Sequence, residues 1–225
     1  MMFIEDAENV ARAAMIGISR DLTETYVGLI RFLSTEPDAA LKIRGGTPEV
    51  GSADYIQYHA KGFAESRRPR APAPPSTTPD EMVSLILNSY FDVPVENLDR
   101  AKNEHLLSMG AENLVGELLE RYLASIMEPR GWIWCSGSMV KAVDFIKPPI
   151  NRSANWSLLQ VKNRDNSENS SSSAIRNGTS ISKWFRTFSR KRATNWDAFP
   201  DEDVRRYVSE EGFNEYVRTY LHNLR

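Results

Sequence analysis

Asp144 stands in an otherwise apolar run, Val143-Asp144-Phe145-Ile146, and a second apolar run, Trp156 to Val161, carries Gln160 and closes on Lys162. Side chains of an extended strand alternate, so Gln160 and Lys162 share one face while Val161 points to the other, into a core. If the two runs are neighbouring strands, the Asp144 carboxylate, the Gln160 side-chain oxygen and the Val161 carbonyl can together meet a hard cation that takes oxygen ligands. Lys162 then stands where a water would be.

These strands need a helix to pack on. The most continuous helical pattern runs from about Asn103 to Met127, with Leu106, Leu107, Leu114, Val115, Leu118, Leu119, Tyr122 and Leu123 at helical spacing, and Pro129-Arg130-Gly131 ends it. Three short β-type segments follow, Trp132 to Cys135, Met139 to Ile146 and Trp156 to Lys162, separated by Gly137 and Pro148-Pro149. A helix feeding a small sheet is the arrangement this predicts. Ser167 to Ser182, rich in serine and asparagine, is expected to be a loop, with helices over Ile181 to Phe188 and Asp203 to Leu224.

Upstream, apolar residues at helical spacing from 4 to 33 predict one long or two shorter helices. Arg67-Arg68-Pro69-Arg70-Ala71-Pro72-Ala73-Pro74-Pro75 is excluded from helix and central strand, because proline lacks the N–H donor and fixes φ. Thr78-Pro79-Asp80-Glu81 has the form of a capping box that restarts a helix. The expected division is therefore a helical region over 1–65, a proline-rich linker or wrapped arm over 66–79, and a core over 80–225.

Composition narrows the class. Of 225 residues, 41% are hydrophobic, enough for a real core, and the lone Cys135 excludes an internal disulfide framework. No run approaches the roughly 18 apolar residues that span a bilayer, and the N-terminus lacks a signal-peptide pattern, so a cytoplasmic location is expected. The formal net charge is -2, yet from Asn151 to Arg192 nine basic residues face two acidic ones. That cationic block offers phosphate contacts. His59, His105 and His222 lack metal-ligand spacing, and Gly45-Gly46 lacks the ending of a phosphate loop.

Asp144 followed by Gln160-x-Lys162, with Gly116-Glu117-Leu118-Leu119-Glu120 on the preceding helix, resembles the active-site signature of PD-(D/E)XK nucleases. More specifically, Gln160-Val161-Lys162-Asn163-Arg164-Asp165-Asn166 and its continuation to Lys183-Trp184-Phe185-Arg186 is similar to the conserved block of SinI-like restriction enzymes. The resemblance spans about Glu112 to Asp201. It implies a mixed α/β nuclease core, with a small central sheet flanked by helices, and adds Glu120 as the helix acid, with Glu117 and Glu112 as fallbacks. Neutral Gln160 replaces the second acidic ligand of the broader PD-(D/E)XK superfamily, and Glu120 restores the missing charge.

The implied activity is that of a type II restriction endonuclease: Mg2+-dependent hydrolysis of double-stranded DNA at GG(A/T)CC. A repair or junction nuclease of the same fold, or a non-catalytic DNA-binding protein, is the alternative. A near-palindromic site and one catalytic centre per chain imply a homodimer, and the bacterial setting implies a methyltransferase protecting the same site. Asn163, Arg164, Asn166, Asn169 and Arg176 suit base edges, since arginine bridges guanine O6 and N7. Lys183, Arg186, Arg190, Lys191 and Arg192 suit phosphates. Trp184, Phe185, Phe188 and Trp196, interleaved with them, are expected to pack a helix onto the sheet.

Overall fold

The computed structural model describes residues 2–151, 155–165 and 181–225. Asn166, Asn169, Arg176 and most of the expected serine-rich loop lie outside them. The upstream apolar stripe forms two helices, α1 (Ala7–Ile16) and α2 (Thr23–Thr35), with a bend between them from Gly17. α2 buries Tyr26, Val27, Leu29, Ile30, Phe32 and Leu33, more than one stripe, because it packs between other elements. A third helix, α3 (Ala53–Glu65), starts where the Ser52 hydroxyl accepts the Tyr55 N–H.

Among the described residues, four strands make one mixed sheet in the order β1 (Ile133–Trp134), β2 (Phe145–Lys147), β3 (Ser157–Arg164) and β4 (Ile181–Thr187). The first three are antiparallel neighbours, and β4 runs parallel to β3. Strand alternation splits the side chains between two cores. Ile133 and Ile146 join α1, α2 and α3 on one face. Phe145, Leu159, Val161 and Trp184 join the other. That second core is covered by α5 (Leu98–Met127), which buries Leu118, Leu119, Tyr122 and Leu123, and by the C-terminal helices α6 (Glu202–Arg205) and α7 (Glu210–His222).

The expected helix over Ile181 to Phe188 is a strand. Its apolar residues at 181, 184, 185 and 188 mimic helical spacing, but pairing with β3 from Leu158↔Ile181 to Arg164↔Thr187 overrides that local pattern. Of the four aromatics expected to pack a helix onto the sheet, Trp184 and Trp196 join the second core, though Trp184 does so from a strand, and Phe199 packs with them, 5.0 Å from Trp184. Phe185 and Phe188 pair edge-on with each other and stay only partly buried outside that core. Met139 to Ile146 is strand only from Phe145, while Val140 makes an isolated bridge to Ala40. The long helix begins at Leu98 rather than Asn103, and the last helical region breaks in two at Ser209, whose hydroxyl caps α7. The helix α4 (Glu81–Ser89) is capped by Asp80, which accepts the Met82 N–H, and not by Thr78.

The proline-rich segment lies along α5. Arg121, 6% exposed, donates to the carbonyls of Ser66, Arg67 and Arg68 and to Glu117 Oε1. Further along, a Cβ on Gly110 would come within 2.9 Å of the Ala73 carbonyl, so only glycine lets the arm approach. Among the described residues no helix is long and apolar enough to cross a membrane.

Candidate active site

Asp144 is positioned by backbone bonds on both sides. Its N–H donates to the Leu159 carbonyl at 2.9 Å and its carbonyl accepts the Cys135 N–H at 2.8 Å. The β2–β3 ladder ends at Phe145↔Leu159, and one rung beyond it the Val161 N–H donates to Asp144 Oδ2 at 2.7 Å. The carboxylate thus replaces a backbone acceptor just where the two strands part. Ala142, two residues earlier, has φ 55, a left-handed conformation uncommon for a side-chain-bearing residue and frequent where functional groups are aimed.

Glu120 comes from α5, whose Leu119 and Leu123 anchor it in the second core. Its Oε2 accepts the Trp134 indole N–H at 2.9 Å, which turns the carboxylate toward the sheet. Glu120 and Asp144 line one cavity of about 320 Å³, together with Ser66, Arg70, Glu117, Cys135 and Ser136. Burial pushes Glu120 up to about 7; the negative charge of Asp144 acts in the same direction, and the Trp134 N–H and the Lys162 ammonium oppose both. Burial likewise raises Asp144, against the Val161 N–H and Lys162. Two carboxylates that resist ionising together, with a lysine close enough to bias each, form a site that favours an added positive charge.

Lys162 is half-buried, and Gln160 is buried in the same strand, in register with Lys183 of β4. Leu159 and Val161 enter the second core, so Gln160 and Lys162 share the opposite face. Among the described residues no three acidic, histidine or cysteine side chains converge on one point. A cation seated here would therefore draw on Asp144 and Glu120 and complete its shell with neutral oxygens, which suits a hard divalent ion. Of the fallback acids, Glu117 lines the cavity but is held by Arg121 and, at 3.3 Å, by Arg70, while Glu112 is exposed further along α5 and outside the cavity lining. Burial pushes the Cys135 thiol well up, which keeps it un-ionised.

The basic residues gather elsewhere on the surface. Arg164, Arg186, Arg190, Lys191 and Arg192 line a second cavity, of about 950 Å³, with Glu210 and Glu211 in its wall. Lys183 is exposed on β4 outside it. Arg186 is tied inward: Nε donates to Asn163 Oδ1 at 3.0 Å, Nη1 to Glu210 Oε1 at 2.5 Å, and the guanidinium lies 4.9 Å from the Phe213 ring. Asn163 is engaged in turn, its carbonyl accepting the Thr187 hydroxyl. Lys191 rests on the Phe188 ring, and Asp165 Oδ1 accepts the Ser189 N–H to shape the turn. His59 is a core residue edge-on to Tyr55, and burial lowers it to about 4.

Sequence reasoning missed Arg70, Trp134 and Arg121. Arg70 is the one cation among the described residues lining the acidic cavity. Its neighbourhood, Arg-Arg-Pro-Arg, carried a charge signal that the proline content masked.

A mixed sheet whose parting strands present an aspartate and a lysine, with a glutamate supplied by a long covering helix, defines a nuclease core of the restriction-endonuclease kind. A family model described as SinI restriction endonuclease matches residues 7–223. The chain belongs to the SinI restriction endonuclease family, a family of type II site-specific deoxyribonucleases. It is similar to the type II restriction enzyme SinI of Salmonella infantis, 52% identical over all of this chain and 98% of that one. It is also similar to the type II restriction enzyme Eco47I of Escherichia coli, 53% identical over 97% of this chain and 96% of that one. The match reaches back through α1, well before the stretch in which the resemblance was legible from motifs.

Proposed function

We propose that this chain cuts double-stranded DNA at GG(A/T)CC with Mg2+ as cofactor, and that it works as a homodimer in the bacterial cytoplasm beside a methyltransferase protecting the same site. The observation that carries the catalytic part is the pair of half-buried carboxylates, Asp144 and Glu120, sharing one cavity within electrostatic reach of Lys162. The recognition sequence rests on full-length likeness to SinI-like enzymes.

In this reading Asp144 and Glu120, which line the cavity, would hold the cation, and the Gln160 side-chain oxygen and the Val161 carbonyl, on the adjoining strand outside that lining, would complete its shell. When bound, Mg2+ polarises the phosphate and makes an attacking water more acidic. Lys162 orients that water and offsets negative charge growing on the phosphate. Glu120, pushed up to about 7, would hold an ion as a carboxylate, so occupancy of the site would favour its ionised form. Arg190, Lys191, Arg192 and Lys183 meet phosphates, Arg164, Asn163, Asn166, Asn169 and Arg176 meet base edges, and Arg186 braces the wall behind them.

The test is cleavage of unmethylated plasmid with Mg2+ by the wild-type chain and by Asp144→Ala and Lys162→Ala, followed by sequencing of the fragment ends. Discrete ends within GG(A/T)CC, lost in both variants, are expected. Cleavage without sequence preference would point to a repair nuclease, and binding without cleavage to a DNA-binding protein.

A further inference from the structure

Between Glu65 and Gly110 no residue is buried, although the stretch contains α4 and the first turns of α5. α4 contributes nothing to either core. Met82, Leu85, Ile86 and Tyr90 fall at i, i+3, i+4 and i+8, one side of the helix, and are 57%, 56%, 54% and 78% exposed. Phe91 and Val95 continue the apolar face past the turn, Phe91 edge-on to Tyr90. Beside it Val83, Leu87, Leu106 and Met109 line a groove of about 450 Å³ between the two helices. A helix of nine residues is too short to hold itself together in water without tertiary packing. Among the described residues, α5 is the helix against which α4 packs.

We infer that this face, α4 with the start of α5, is the surface on which a second copy of the chain docks, two such helix pairs closing into a four-helix bundle about a two-fold axis. Three observations favour that occupant. From Asp80 to Val95 the only charged residues are Asp80, Glu81 and Asp92, so α4 and the turn after it offer a phosphate backbone no cation, and Lys102 in the groove wall is paired with Asp99. Its exposed apolar residues present on the order of 900 Å², more than a monomer ordinarily leaves open and close to the roughly 800 Å² per partner of a stable interface. Knobs (Leu85, Ile86, Tyr90) and a groove (Val83, Leu87, Leu106, Met109) lie on one patch, as a self-complementary contact requires. The α5 helix then runs unbroken from this patch to Glu120, so the contact would set the spacing of two catalytic centres. The choice of a second copy rests in part on the proposed cutting of both strands.

The experiment is sedimentation of the full chain without metal or DNA, so that it reads mass whether or not the protein cuts. Wild type is expected at twice the chain mass. Leu85→Asp with Ile86→Asp, both exposed and so compatible with an unchanged circular dichroism spectrum, is expected to weaken self-association about 30-fold or more. Because Cys135 is buried, a surface cysteine at Met82→Cys should cross-link copies through a short bis-maleimide, whereas one at Ile16→Cys, exposed on α1, should not. A wild-type monomer at micromolar concentration, a dimer unaffected by the double variant, or a monomer that partitions onto anionic vesicles would each overturn the assignment. A monomer that still cuts both strands at one site would remove the interface and leave the nuclease assignment standing.

Discussion

Replacing Glu120 by glutamine removes a charge from a place where burial resists it, so the variant is expected to be inactive and more stable at once. The carboxyl is pushed from 4.5 in the unfolded chain to about 7 in the folded one. Folded protein therefore binds this proton more tightly than unfolded protein does. The stabilisation that proton brings is complete below about pH 4.5 and is lost as pH rises through about 7. A shift of this size corresponds to about 3 kcal/mol at most, at 1.36 kcal/mol per pH unit. Asp144 shares the titration, so the gain from glutamine at alkaline pH is nearer 1–2 kcal/mol, or about 2–8 °C in Tm for a chain of this length. Glutamine keeps an oxygen to accept the Trp134 N–H, which separates the charge from the hydrogen bond. The assay is metal-free urea unfolding followed by tryptophan fluorescence near pH 5.5 and near pH 8. The variant's advantage should appear at the higher pH and shrink at the lower. An equal advantage at both, or none at either, would refute the claim that the surroundings of Glu120 resist its charge.

The same logic predicts that Mg2+ or Ca2+ raises the wild-type Tm, by the equivalent of about 2.7 kcal/mol at a hundredfold excess over Kd; Asp144→Asn or Glu120→Gln should abolish the response, and a Tm indifferent to the cation in wild type would speak against a metal site here. Arg121→Ala leaves three part-buried carbonyls without their donor and Glu117 with Arg70 alone, and should cost about 2–4 kcal/mol in chemical denaturation. Lysine should rescue it poorly, because the contact depends on the guanidinium fork. Arg190→Ala and Lys191→Ala should each reduce the slope of log K against log salt for DNA binding by about 1, measured by fluorescence anisotropy; an unchanged slope would place the phosphates away from this cavity.

Asp144 and Gln160-Val161-Lys162 were legible because strand alternation is a local rule: whichever sheet they join, Lys162 and Val161 must face opposite ways. β4 was not legible, since its apolar residues fit a helix as well as a strand and only β3, lying alongside it, decides between them. The helix acid shows the same limit. Glu112, Glu117 and Glu120 all sit on one helix, and what separates them is the Trp134 indole and the packing of Leu119 and Leu123, neither of which spacing reveals. The proline-rich stretch announced that it was neither helix nor central strand, but its path along α5 depends on Arg121 and Gly110, more than thirty residues away in the chain.

The sequence by itself determined the chemistry on offer: a carboxylate and a lysine on short apolar strands, a basic block after them, and motifs that resemble one enzyme family. Only the tertiary structure decided that the β2–β3 ladder stops at Phe145, that Asp144 there takes the Val161 N–H, and that α5 brings Glu120 into the same cavity. It also decided that α4 packs into neither core. The division has a physical cause. Side-chain type and alternation are set within a few residues, whereas burial, carboxylate pairing and the raised proton affinity of Glu120 arise only when distant segments exclude water together.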